Sequence, residues 1–400
     1  MGKKSEDHLN FNFSTLMTGY YFSQIIALGY FSYFMNSFGY SESAIGVVVT
    51  IYSLSAMVLE LVFGFVMDKY CNPKLILSLS FTCYTAMQVM LFYFFSSWTY
   101  VVVYASVAMG LFFTVSGLCD SWVVKIEKAT PEKINYSRIR AVGSISYALI
   151  GLAASFLMPI FGYNAAIGIL ITAWIIFMYA CFSLPNPPKS IGNDSDKVSL
   201  KEAAKVLGSN GYYILLLVCV FMYSITNVSY TNYYSLFIKD LGGGTREVGI
   251  GLFVMAFTEF WVMRSYKKYA ARFGDEKVLA FSFLGYVLRS VLMALARNFW
   301  AVLAVTALQT ISFALQMPGI MACISKAVSY RYQATAVQVM YFIGMIGQIA
   351  FSALIGSTYE NLGRSAMLMI FAIPSAAAFI IFSILSPVLK KKLSGKTQNA

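Results

Sequence analysis

Residues 119–147 read CDSWVVKIEKATPEKINYSRIRAVGSISY: the inner end of one apolar segment, a short charged loop, then the start of the next apolar segment. Asp120 stands near the end of the first segment. Arg138 and Arg140 lead into the second, and Tyr147 lies about two helical turns deeper. Charges next to hydrocarbon are costly, so they face partners or a water-filled cavity. Arg138 and Arg140, two residues apart, point to different sides of a helix. Tyr147, seven residues after Arg140, shares its face. An acid and an arginine on adjacent membrane helices, close to a ring, make a candidate polar site.

The rest of the chain agrees with a membrane setting. Of 400 residues, 59% are hydrophobic and 12% charged, where a soluble domain carries about 25%. Mean hydropathy is +0.69. The apolar runs have helix length rather than barrel-strand length. The fold class expected is all-α and integral to the membrane. Lys and Arg number 29 against 17 Asp and Glu. In such a chain that excess points to orientation and lipid contact, not to nucleic acid.

Twelve runs fit membrane crossings: 13–35, 44–67, 75–95, 100–124, 138–160, 163–184, 211–237, 247–266, 278–296, 299–324, 332–357 and 365–388. The first run reads as a retained span rather than a signal peptide. The one long polar connection, 185–210, begins PNPP and contains VSLKEAAKVL, a candidate surface helix. The domains expected are therefore a six-helix half at 1–184, a cytoplasmic linker at 185–210, and a six-helix half with a cytoplasmic tail at 211–400. With the N-terminus inside, only Lys239, Arg246, Arg297 and Arg364 fall in outer loops. Both termini are then cytoplasmic, in the inner (cytoplasmic) membrane.

The halves read as diverged copies. LELVFGFVMDKY at 59–70 matches TEFWVMRSYKKY at 258–269, pairing Glu60 with Glu259 and Tyr70 with Tyr269. Lys125, Gly143 and Gly162 recur as Lys326, Gly344 and Gly363. Two pseudo-symmetric halves with a site at the midplane suit alternating access.

The candidate substrate-binding residues are Asp120, Arg140, Tyr147, Glu259, Asn227 and Asn232. Asn227 and Asn232 belong to the polar stretch SITNVSYTNYYSLF, although such residues also serve as helix–helix glue. Glu259 and Arg289 are candidates for coupling, because a carboxylate in a dry site takes up a proton more readily until an arginine approaches. Gly64, Asp68 and Lys69 close the second span and are assigned to gating and packing. The role of Glu60 is open.

Other chemistries find no support. Cys71, Cys83, Cys119, Cys181, Cys219 and Cys323 form no CxxC pair, and the lone His8 is in the polar N-terminal stretch. The glycines at 242–244 follow no strand and make no phosphate loop. No nucleophile elbow or metal constellation is present, so neither an enzyme nor a cofactor is expected. The partners expected are a small-molecule solute and the lipid bilayer, with the chain monomeric.

The twelve-span layout, the central linker and GFVMDK at the span 2–3 junction resemble the major facilitator superfamily. Within it the chain looks most like the lactose permease and oligosaccharide:proton symporters and the nucleoside-permease-like families. The sharpest part is Asp120, Lys125 five residues on, and Y-S-R-I-R-A-V-G-S. The resemblance implies that Asp120 and Arg140 bind a glycoside, that Tyr147 replaces a tryptophan stacking on the sugar, and that Glu259 and Arg289 link solute to proton. The chain departs in span ten, where Gln309 and Ser312 replace the coupling histidine and glutamate, and near Ser224 and Asn227, where acids become neutral. Proton carriage would then fall to Glu259, Asp120 or Glu60, or to another ion. The function expected is secondary transport of a small polar solute, a sugar, glycoside or nucleoside, by proton symport. The alternatives are a drug or metabolite exporter working by antiport and a non-transporting receptor.

Overall fold

The computed structural model describes residues 3–70, 73–129, 136–186 and 200–397, with backbone alone at 3–7, 64–70, 124–125, 128–129, 136–138, 200–201, 330, 334 and 392–397. All regular structure among them is helical. Hydrocarbon offers no partner to a backbone N–H or C=O, so a crossing segment must bond within itself.

The helices are α1 (Lys3–Gln24), α2 (Phe31–Ser37), α3 (Glu42–Tyr70), α4 (Pro73–Phe94), α5 (Trp98–Tyr104), α6 (Gly110–Ala129), α7 (Tyr136–Phe161) and α8 (Tyr163–Ser183). After the linker come α9 (Leu200–Gly208), α10 (Gly211–Thr231), α11 (Tyr234–Asp240), α12 (Thr245–Phe273) and α13 (Asp275–Leu295). The last are α14 (Phe299–Thr306), α15 (Phe313–Ala327), α16 (Gln333–Ile370) and α17 (Ile373–Thr397).

Ten stretches among the described residues are long and apolar enough to cross a bilayer. One of them, Thr335–Lys391, has 57 residues. As a straight helix it would be roughly 85 Å long, more than twice the hydrocarbon thickness. It is broken at Gly363 (φ 80°) and holds two crossings. The N-terminal rod from α1 to α2 carries Asn10, Asn12, Ser14, Thr15 and Thr18 and falls outside the ten. The ten stretches, one of them broken in two, agree with the expected all-α membrane architecture.

The repeat is visible in the backbone. Gly39 and Gly242 both have positive φ, 90° and 82°, ahead of α3 and α12, which are 29 residues each. Gly162 (φ 54°) and Gly363 (φ 80°) turn the chain at corresponding places. Ser97 and Asn298 cap α5 and α14 in the same way, each accepting from the amide three residues on. The helix that follows is interrupted in both halves: by a π-helical turn at Ala105–Met109 and by a 3-10 turn at Ala307–Thr310. The helix starts, Glu42 and Thr245, set Glu60 against Met263 rather than Glu259. The sequence pairing is therefore one turn out of step. A slip of four residues keeps the same helical face in register, so an apolar pattern tolerates it.

A side chain at the Gly162 or Gly363 turn is expected to strain the backbone alone, since no atom lies within 4 Å of a Cβ built there. Gly162→Ala and Gly363→Ala should each cost about 1–3 kcal/mol, read as a lowered melting temperature in detergent with unchanged solute binding.

Contacts divide the chain into two compact units: Met1–Ile191 with Asn232–Phe257, and Gly192–Thr231 with Thr258–Ala400. In the first, α1 packs on α8 and α7. A Cβ at Gly19 would lie 2.8 Å from the Phe177 backbone nitrogen, so only glycine allows this approach. Trp122 meets Phe13 edge-on at 5.7 Å and donates its indole N–H to the Pro185 carbonyl at 3.2 Å.

Residues 232–257 join this unit through specific bonds. The Tyr52 hydroxyl donates to Asn232 Oδ1 at 2.8 Å, and Tyr30 donates to the Thr245 carbonyl at 2.9 Å. The Ser32 hydroxyl donates to the Asn232 carbonyl. Lys239 donates to Asn36 Oδ1 at 2.7 Å and sits 5.2 Å from the Tyr33 ring centre. At Gly249 the helices touch backbone to backbone, since a Cβ there would lie 2.7 Å from both the Gly151 carbonyl oxygen and the Ser155 nitrogen.

In the second unit α10 packs on α16 and α17, and α13 on α15 and α17. Asp275 accepts from Tyr266 and from Lys326, each at 2.5 Å, and Lys390 reaches Glu276 at 2.5 Å. The surface helix expected in the linker is α9. Its Glu202 accepts from the Tyr332 hydroxyl at 2.5 Å, fastening the linker helix to the chain just before α16.

Candidate functional site

The first unit brings Asp120, Arg140 and Tyr147 into one cluster. Asp120 comes from α6, and the other two from α7. Arg140 Nη1 lies 3.6 Å from Asp120 Oδ1, an ion-pair distance beyond a good hydrogen bond. The two side chains are 41% and 29% exposed. Two charges this open within apolar helices mark a wetted surface rather than a lipid-facing one.

One residue that sequence reasoning passed over completes the cluster. Tyr21 of α1 lies under the Arg140 guanidinium, 5.4 Å from ring centre to Cζ, and meets the Tyr147 ring edge-on at 6.5 Å. The Tyr147 hydroxyl lies toward Gly29, where a Cβ would come within 3.3 Å of it. Gly29 ends a π-helical turn, Ile25–Gly29, between α1 and α2. Thr18 and Ser146 hydroxyls bond at 2.9 Å beside this group. A cleft of about 410 Å³ adjoins it, lined on α1 by Asn10, Ser14, Thr15 and Thr18 and on α7 by Ile139 and Val142.

The second unit holds the other charged candidates. Arg289 is 1% exposed. Its Nη1 donates to Gln309 Oε1, and its guanidinium lies 4.3 Å from the Tyr230 ring centre. The Tyr230 hydroxyl bonds the Ser290 hydroxyl and donates to the Tyr286 carbonyl at 2.9 Å. Glu259 is half-buried on α12. Gln309 stands on the 3-10 turn, so the helix break presents its amide to the buried guanidinium. Gln309→Leu is expected to leave that donor without its acceptor. The cost is about 1.5–3 kcal/mol, read as thermal destabilisation, and Gln309→Glu should retain most of the stability.

The remaining candidates are spread out. Asn232 stands in the break between α10 and α11, where its carbonyl groups take Ser32 and Tyr52, so its amide oxygen fastens helices together. Asn227 is half-buried on α10, and its backbone carbonyl accepts from Thr231 at 2.8 Å. Glu60 is exposed on α3 beside exposed Leu61 and Val62. Arg264 is exposed on α12, as expected of a snorkelling side chain. The gating residues Gly64, Asp68 and Lys69 lie on α3 but their side chains are outside the described residues, as are those of Lys125 and Arg138. Among the described residues no cluster of His, Cys, Asp or Glu could hold a metal ion, and Cys83, Cys119, Cys181, Cys219 and Cys323 are free thiols.

Comparison with known proteins extends these observations. A protein of Escherichia coli strain K12 described as a nucleoside transporter, YegT, is 29% identical over 154 residues, covering 36% of this chain and 35% of that one. The maltose permease of Geobacillus stearothermophilus is 22% identical over 253 residues, 63% of each chain. The alignments thus span less than two thirds of both relatives. Among solved structures, the nucleoside transporter NupG superposes with a TM-score of 0.78 at 15% identity, covering 94% of this chain and 98% of that one. A bacterial homologue of the human lysosomal transporter Spinster, inward-facing and unoccupied, gives 0.71 at 13% identity, covering 98% and 99%. These likenesses establish the fold. The model of the MFS_1 like family matches residues 16–363, and with ten apolar stretches of crossing length among its described residues the chain is a multi-pass membrane protein that belongs to this family of major facilitator transporters.

Proposed function

We propose that the protein moves a small neutral polyhydroxylated solute, a nucleoside or a glycoside, across the cytoplasmic membrane by alternating access coupled to protons. The observation that carries this reading is the half-exposed Asp120–Arg140 pair beside the Tyr21 and Tyr147 rings. A carboxylate accepts and a guanidinium donates, so together they satisfy neighbouring hydroxyls of one solute. Their charges cancel, which favours a neutral solute over an ion. Each hydrogen bond to a charged group contributes about 1.5–3 kcal/mol, and a ring beside them covers the apolar face of a sugar or base. The nucleoside transporter and the maltose permease among the relatives are named for solutes of this kind.

Coupling is assigned to Glu259 and Arg289. Gln309 is neutral and accepts from Arg289, so a carboxylate elsewhere has to carry the proton, and Glu259 shares the second unit with that arginine. The test is uptake of tritiated uridine and radiolabelled maltose into proteoliposomes with an alkaline interior. Saturable uptake that rises with the pH gradient is expected. Absence of saturable uptake of either solute overturns the polyol reading, and uptake indifferent to the gradient overturns the coupling. Glu259→Gln should keep solute exchange and lose gradient-driven accumulation.

A further inference from the structure

We infer that Tyr21 is a positioning residue for the solute site: it sets the direction of the Arg140 guanidinium and the tilt of the Tyr147 ring, and Gly143 exists to admit it. The inference rests on the Asp120–Arg140 reading above and adds a residue from a third helix to it.

Contacts on several sides hold the ring. Its face lies under Arg140, 5.4 Å from ring centre to Cζ. Its edge relation to Tyr147 is nearly perpendicular, 86° at 6.5 Å. On the third side it fills the space beside α7 that a side chain at 143 would need, since a Cβ there would lie 2.4 Å from its Cε2. Behind it Tyr20, stacked on Phe112 at 4.7 Å, meets the Tyr21 ring edge-on at 5.6 Å. The ring is 8% exposed, so it can neither swing into water nor retreat into α1.

The consequence follows from the shape of arginine. A guanidinium donates through a planar fork, and the direction of that plane decides which hydroxyls it meets. A ring face below the cation holds it electrostatically without using any of its N–H donors. Asp120, at 3.6 Å, pulls the fork sideways, and Tyr21 keeps it from sinking toward α1.

Four variants test this: Tyr21→Phe, Tyr21→Leu, Gly143→Ala and the double variant Tyr21→Leu/Gly143→Ala. Phenylalanine keeps the ring and should leave KM for uridine and maltose within about twofold. Leucine removes the π-face, and the alanine methyl displaces the ring. Each should raise KM roughly tenfold with the maximal rate nearly unchanged. The double variant should be no worse than the poorer single one, because both act through one contact. A phenylalanine variant as impaired as the leucine variant, or multiplicative effects in the double variant, overturns the inference. A second readout needs no solute: phenylglyoxal modification of Arg140 in purified monodisperse protein, followed by mass spectrometry. Modification should accelerate severalfold in Gly143→Ala and Tyr21→Leu and stay at the parental rate in Tyr21→Phe. Equal rates in Gly143→Ala and parent overturn the inference even if the leucine variant fails to insert. If neither solute is taken up by the parent, the polyol reading falls while the arginine reactivity still decides the role of Tyr21.

Discussion

Arg140→Ala is expected to lower solute affinity by at least about thirtyfold while the protein still inserts and runs as a single species in detergent. Truncating one partner of a charge pair that also bonds the ligand costs about 2–5 kcal/mol, and 1.4 kcal/mol is tenfold. The lower end applies here because the pair is part-exposed, at 41% and 29%, and water replaces some of what is lost. Arg140→Lys should recover little. An ammonium keeps the charge but not the planar fork, and it holds less well over the Tyr21 ring. Asp120→Asn should lie between, since the amide still accepts a hydrogen bond although the pair loses its neutrality. Equilibrium binding of uridine or maltose to purified protein makes the measurement, and unchanged affinity in Arg140→Ala would remove the pair from the site.

The second large effect is conformational. Gly249→Leu should drive residues 232–257 away from the helices they rest on. Already the first side-chain carbon would lie 2.6 Å from the Tyr30 hydroxyl and 2.7 Å from the Gly151 oxygen and Ser155 nitrogen, and two of these are backbone atoms that cannot turn aside. Overpacking of this kind costs about 1–3 kcal/mol, enough to shift a two-state population roughly 5–150-fold. The bonds from Tyr30 to Thr245 and from Lys239 to Asn36 should break with it. A bismaleimide spacer should join cysteines placed at positions 36 and 239 readily in the parent and poorly in Gly249→Leu, with uptake falling at least tenfold. Efficient cross-linking in the variant would show that the contact adapts.

The crossings were legible because each needs its own apolar run, and the central linker because polar residues cannot enter hydrocarbon. The Asp120–Arg140–Tyr147 group was legible because its members lie on two consecutive helices joined by a short loop. Residues Arg140 and Tyr147 stand seven apart, which is a spacing a helix enforces. Tyr21 was not legible. It reaches the group from α1, 99 residues ahead of Asp120 in sequence, and it is one of 28 tyrosines. The only clue was Gly143, a small residue facing a bulky neighbour, and a sequence does not say which neighbour. Asn232 was legible as a polar residue inside a span but not as one whose oxygen serves Tyr52 of α3. The turn-wide slip between Glu60 and Glu259 has a similar origin. Apolar periodicity fixes the face of a helix and leaves its axial register to the loops at its ends, here the turns at Gly39 and Gly242.

The π-helical turn at Ile25–Gly29 carries a consequence for how such chains diverge. A π turn is an α-helix holding one extra residue, and each residue of an α-helix advances the azimuth by about 100°. Tyr20 and Tyr21 precede that residue and Tyr30 follows it. Deleting any one residue of Ile25–Gly29 would leave a straight rod of nearly the same length. Yet Tyr30 would no longer aim at the Thr245 carbonyl while Tyr21 aims at Arg140. A one-residue gap in this part of the first span would therefore separate descendants that share a fold from those that share a solute.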